Sequence, residues 1–130
     1  MGLFDRLKSQ RDIVKEEIKE IPWIQLDHLD QLEDIKERSK AVPVVLFKHS
    51  TTCGISRMVL KQFERDFKVE DTQGEFYFLD LRSYRDISQA IAQQFDVIHE
   101  SPQLLIIKNG QAVYHASHGQ ISAQDVVEKL

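Results

Sequence analysis

A chain of 130 residues suggests one domain, and at that size folding hides roughly two-thirds of the unfolded surface, enough for a core without disulfides or a structural metal. With 42% hydrophobic and 29% charged residues, neither a disordered nor a collagenous class fits. The formal net charge of −4 lacks the basic surplus of a general nucleic-acid binder, so no nucleic-acid partner is expected.

Met1-Gly2-Leu3-Phe4-Asp5-Arg6 opens the chain. It has no apolar core of a secretory signal, and no run approaches the ~20 apolar residues of a membrane span. Gly2 suits myristoylation, but Arg6 stands where Ser or Thr is required. A cytoplasmic protein without a membrane partner is expected. Residues 2–21 read as an amphipathic helix, with Leu3, Leu7, Val14, Ile18 and Ile21 near one face and Pro22 as the stop. A membrane-surface helix would be richer in Lys and Arg. Packing on the domain or on a second copy is expected, hence a monomer or weak dimer. The division is therefore an N-terminal extension over 1–22 and a folded domain over 23–130.

Trp23-Ile24-Gln25-Leu26 is a short strand candidate. Asp27 is the expected N-cap of a helix with Leu29, Leu32 and Ile35 on one face, ending near Ser39. Val42 to Lys48 is a continuous apolar run, a strand buried on both faces. After His49-Ser50-Thr51-Thr52-Cys53-Gly54-Ile55-Ser56, the residues Ile55, Val59, Phe63 and Phe67 recur at helical spacing, with Met58 beside them. Glu75 to Leu81 reads as a strand. Ser83-Tyr84-Arg85-Asp86 matches a capping box before a helix with Ile87, Ala90, Ile91 and Phe95. Gln103 to Lys108 is a strand, Asn109-Gly110 a hairpin turn, and Gln111 to Tyr114 the returning strand. Gly119 breaks the chain. Ser122-Ala123-Gln124-Asp125 is a second capping box, leading a helix with Val126, Val127 and Leu130. Alternating elements closed by a hairpin give an α/β domain with a mixed central sheet flanked by helices.

Cys53 is the single cysteine. An internal disulfide is impossible, so two-cysteine turnover is excluded. The thiol sits between a buried strand and the first turn of a helix, where unpaired N–H groups and the helix dipole favour a thiolate. The thiolate is the attacking species in disulfide exchange. Ser56 lies three residues on, placed to offer that sulfur a hydrogen bond, and His49 and Arg57 are placed to add positive charge. Gly54 has no side chain to cover the thiol. His115 and His118 lack convergent partners with zinc-like spacing, so no metal is expected. His118 beside Gly119 is a candidate tuning residue. Asp80 closes its strand, where a surface position is one reading.

Cys53-Gly54-Ile55-Ser56 between strand and helix, Ser101-Pro102 ahead of the Asn109-Gly110 hairpin, and Gly119 before the last helix resemble a thioredoxin over residues 22–130. More narrowly, Lys48 to Ser56 resembles the monothiol bacilliredoxins, thioredoxin-like proteins of the bacillithiol system, with Gly54 where that family commonly has proline. The resemblance implies Cys53 as nucleophile and Ser56 in place of a resolving cysteine. It implies Pro102 as a cis-proline, following Ser101 and lining a substrate groove with Thr52, Gly54 and Ile55. The thioredoxin resemblance gives Asp80 a second reading, as a buried acid near the thiol. It implies no tightly bound cofactor, bacillithiol or a similar small thiol as co-substrate, S-thiolated client proteins as partners, and a recycling thiol or reductase. Three other readings stand beside it. Cys53-Gly54-Ile55-Ser56-Arg57 also resembles the Cys-x-x-Ser-Arg loop of glutaredoxin-linked arsenate reductases, although Ser101 stands where those carry arginine. A redox-sensing adaptor or binding module without turnover would show an unreactive Cys53. Iron–sulfur binding would need a dimer and an external thiol.

Overall fold

The computed structural model describes residues 21–68 and 74–130. Along the chain lie β1 (Ile24–Gln25), α1 (Gln31–Arg38), β2 (Val44–His49), α2 (Gly54–Asp66), β3 (Glu75–Asp80), α3 (Arg85–Gln94), β4 (Gln103–Lys108), β5 (Gln111–Ser117), a 3-10 turn (His118–Gln120) and α4 (Ala123–Lys129). The expected helix over residues 2–21 lies outside the described residues, apart from Ile21, which is buried.

The strands form one sheet in the order β1-β3-β2-β4-β5. β1, β3 and β2 run parallel. β4 is antiparallel to β2, and β5 to β4. The parallel steps require crossovers, which α1 and α2 supply, while a two-residue turn suffices for the antiparallel step. Asn109 and Gly110 make that turn, with φ of 53° and 77°. Their left-handed conformation matches the twist of the flanking strands. The turn is docked on α1's end: Asn109 N–H donates to Ser39 O, and Gly110 N–H to Ser39 Oγ, both at 2.8 Å.

β2 is buried along its whole length. Its alternating side chains feed two cores. Val44 and Leu46 join Leu32, Ile35, Ile87, Ile91, Leu105 and Ile107 beneath α1 and α3. Val45 and Phe47 join Phe63, Phe67, Phe76, Leu104, Ile106 and Val126 beneath α2 and α4. The second core is aromatic. Trp23 meets Phe47, Phe76 and Phe78 edge-on at centroid distances of 5.7–6.2 Å, the orientation ring quadrupoles favour. Its indole N–H donates to Glu64 Oε2 at 2.9 Å.

Several local expectations need correction. Asp27 is not the cap of α1; Asp30 holds that position. Gln31 Oε1 instead accepts from Asp27 N–H and His28 N–H, which ties the turn before the helix and leaves Leu29 exposed. The first capping box does not form. Tyr84 is the N-cap without a side-chain bond, because Ser83 Oγ donates to Asp80 Oδ2. The second box forms its serine half, with Asp125 N–H donating to Ser122 Oγ at 3.4 Å. The apolar stripe of α2 is narrower than its spacing predicts. Phe63 and Phe67 are buried, but Ile55 is 65% and Met58 72% exposed, and Val127 of α4 also faces outward.

Phe63 is the centre of the aromatic core, touching Trp23, Phe47 and Phe67. Phe63→Ala is expected to cost about 3–5 kcal/mol, read as a lowered midpoint in urea with an unchanged slope.

Candidate active site

β2 ends at His49, and the chain turns through residues 50–52 into α2. Cys53 is the N-cap of that helix, with φ −95° and ψ 120°, and is half-buried. Its backbone begins the helix: Cys53 O accepts from Arg57 N–H at 3.1 Å, and Cys53 N–H donates to Ser50 O at 3.2 Å. The side chain takes no capping hydrogen bond, and no acidic residue stands in the first turn. The thiol is therefore left free at a helix start whose partial positive charge no carboxylate offsets.

Ser56 does not reach for the sulfur. It is completely buried, with Oγ 2.8 Å from His49 Nδ1 and accepting from Ser50 N–H at 3.2 Å. A Ser56 hydroxyl that donates to Nδ1 would put the imidazole proton on Nε2. His49 is likewise buried. Burial holds its pKa below the usual histidine range, and Arg57 adds to this, against the opposing pull of Asp80 and Glu64. His49 is thus neutral at pH 7 and does not supply the positive charge its position suggests. It braces the first turn of α2. Arg57 is exposed and contributes its charge to the surroundings of His49. Thr52 is exposed on the rim, with Oγ1 3.5 Å from Ser50 Oγ. Gly54 opens α2, and a Cβ there would meet nothing within 4 Å.

The segment that leads into β4 reaches the same end of the sheet. The Ser101–Pro102 peptide is cis, and Pro102 is buried. Its carbonyl accepts from His118 N–H at 3.0 Å. Gln103 pairs with Lys48 on one side and Ser117 on the other, so the Cys53 loop, Ser101–Pro102 and the His118 turn share one end of the sheet. His118 has φ +56° and an exposed ring 3.8 Å from Glu100 Oε2. Its recorded partners are Glu100 and Pro102, not the thiol. Asp80 accepts from Arg82 N–H and Ser83 Oγ, so it shapes the β3–α3 turn. Among the described residues, no cluster of three His, Cys, Asp or Glu side chains is arranged to hold a metal. No described helix is long and apolar enough to cross a membrane.

Sequence reading missed one group. Lys48 follows Val44, Leu46 on the α1/α3 face and is fully buried, with Nζ 3.2 Å from His99 Nδ1. Burial drops its pKa to about 8. The signal was a lysine at the end of an otherwise apolar, doubly covered strand. Burial likewise holds His99 below its usual range, reinforced by the Lys48 charge.

Residues 24–126 match the model of the monothiol bacilliredoxin BrxC family. The chain belongs to that family. It is also similar to a solved structure described as a proposed oxidoreductase with a thioredoxin fold, at 35% identity and a TM-score of 0.70, covering 81% of this chain and 90% of the other. A thioredoxin of Malassezia sympodialis is 21% identical, with a TM-score of 0.64 over 85% of this chain and 93% of its own. A thioredoxin of Schistosoma mansoni is 24% identical, with a TM-score of 0.62 over 82% and 96%. The latter two show the fold alone. This bacilliredoxin is thus a thioredoxin-fold thiol oxidoreductase, as its sequence resemblance implied.

Two predictions follow from these surroundings. Cys53 already has the extended backbone that a following proline demands, and the first helical position suits proline. Gly54→Pro is expected to raise stability by roughly 0.5–1 kcal/mol, measured by urea unfolding. Lys48 is the opposite case. An amine whose folded pKa lies near 8 against 10.5 unfolded binds fewer protons folded, so stability rises as pH climbs through that window. Lys48→Met is expected to flatten that rise and to be more stable than wild type at pH 7, by about 3 kcal/mol at most.

Proposed function

We propose that this bacilliredoxin removes a low-molecular-weight thiol, bacillithiol, from mixed disulfides on client proteins, with Cys53 as the nucleophile. The observation that carries the reading is a single half-buried thiol at a helix start, with a buried serine where a second thiol would resolve it. The Cys53 thiolate attacks the small-thiol sulfur of the mixed disulfide. The client–sulfur bond breaks, and the client leaves as its thiolate, reduced by two electrons. Cys53 then holds the small thiol in a new disulfide.

Ser56 has no sulfur, and its hydroxyl is turned toward His49. A second small-thiol thiolate, or a recycling reductase, must therefore attack the Cys53 mixed disulfide. That step releases the oxidised small thiol or passes the electrons' deficit to the reductase, and restores Cys53. The half-buried thiol, Thr52, Gly54 and Ile55 form one wall of the substrate groove, and Ser101–Pro102 the other. No tightly bound cofactor takes part. The reducing cytoplasm is the compartment in which such a thiol is kept in its active form.

Mass spectrometry after mixing with a bacillithiolated client tests this. The expected result is gain of one small thiol at Cys53 and its loss from the client, both abolished in Cys53→Ser. Retained transfer in that variant overturns the nucleophile. Ser56→Cys is expected to trap an internal disulfide between position 56 and Cys53 on oxidation, seen as a two-dalton loss of mass; failure to form it means the two side chains do not converge.

A further inference from the structure

Gln103, the first residue of β4, is 1% exposed, and only one end of its side-chain amide is used. Nε2 donates to Ile98 O at 2.9 Å. That bond fixes the orientation of the amide, because only its nitrogen can donate to a carbonyl. Oε1 is left buried without a partner, the one such side-chain atom among the described residues. Lys48 stands opposite Gln103 in the β2–β4 register, but its Nζ lies 3.2 Å from His99 Nδ1 and does not serve the oxygen. A buried acceptor without a donor is costly and rare enough in folded proteins to call for a reason.

Its surroundings supply one. Gln103 and Ser117 are direct partners across β4 and β5, so they stand on the same face of the sheet. Both line an open cavity of about 340 Å³ between β5 and the segment that follows α3. Ile98, whose carbonyl holds the Gln103 amide, lines it too. Asp96 and Glu100 bring two carboxylates to this cavity, and no lysine or arginine lines it. Among the described residues Asp96 forms no ion pair. Glu100 Oε2 is 3.8 Å from His118 Nδ1, beyond hydrogen-bond length. Lys48, behind Gln103, carries a single charge against these two carboxylates. The cavity thus offers acceptors and negative charge and needs a donor. A bare metal ion fits poorly, since no three His, Cys, Asp or Glu side chains among the described residues converge to hold one. Ile98 is 83% exposed and gives the cavity an apolar edge, which suits an alkyl stem behind a cationic head.

We propose that this cavity binds an alkyl cation with N–H donors, a guanidinium or primary ammonium group, with an N–H reaching Gln103 Oε1, the charge facing Asp96 and Glu100, and the stem lying on Ile98. That chemistry belongs both to a basic side chain of a polypeptide and to a free alkyl cation. The site contains no thiol, so its failure would leave the exchange at Cys53 untouched.

The test titrates butylguanidinium into the full chain, followed by nuclear magnetic resonance. Tetramethylammonium, a cation without a donor, and butylurea, which has stem and donors without charge, are the controls. Saturable shifts at the Gln103 side-chain amide and the Ser117 backbone amide are expected with butylguanidinium and with neither control. Glu100→Gln should weaken binding about tenfold, the loss of one charge-assisted contact. Gln103→Met removes the unpartnered acceptor and should weaken binding by a similar factor. Glu100 is exposed, so its variant decides the matter even if Gln103→Met fails to fold. No saturable shift, equal binding of either control, or unchanged affinity in Glu100→Gln overturns the site. A blocked tripeptide of arginine between two alanines separates the two sources: tighter binding than butylguanidinium supports a polypeptide side chain, and equal or weaker binding supports a free cation.

Discussion

Burial of β2 on both faces is the constraint from which the rest follows. A strand covered on two sides must place one side chain after another into opposite cores. Val44 and Leu46 go to one and Val45 and Phe47 to the other. The same alternation carries through the two polar residues that end the strand. Lys48 is sent toward α3 and His49 toward α2. The strand thus delivers a buried cation to one face and a buried neutral base to the other, immediately before the loop that presents the thiol.

Those two residues divide the work at this end of the sheet. His49, Ser56 and the Ser50 N–H form a closed set of hydrogen bonds that fixes where α2 begins, and so where Cys53 stands. Lys48 and His99 fix the segment that leads into Ser101–Pro102. Buried polar groups are costly unless partnered, and here the partners join elements far apart in sequence. The thiol itself is left outside both networks. What positions Cys53 is its backbone, through the N-cap geometry of α2.

Much of this was legible in the sequence. The apolar run of β2, the Asn109-Gly110 turn and the periodicity of α3 are local signals, and each element formed where its pattern put it. The placement of Cys53 at a helix start was equally local. The roles of Ser56 and His49 were not, because serine at a helix start reads as a donor to the neighbouring thiol until a histidine seven residues back competes for it. Ile55 and Met58 matched the α2 stripe by spacing, yet no element among the described residues covers that first turn. Ser83 offered a cap but was taken by Asp80. Lys48 shows the same limit: a lysine's partner 51 residues away leaves no mark on local pattern.

The edges of the sheet bear on how such a protein meets others. β1 has only two residues, and β5 is interrupted by a bulge opposite Ile106 and Ile107. Neither offers a long, flat row of unpaired backbone groups to a passing strand. Unfolded or damaged chains that meet a sheet add to it most readily along such a row. With its margins blunted, this sheet gives them little to extend, and an encounter with one leaves the sheet as it was.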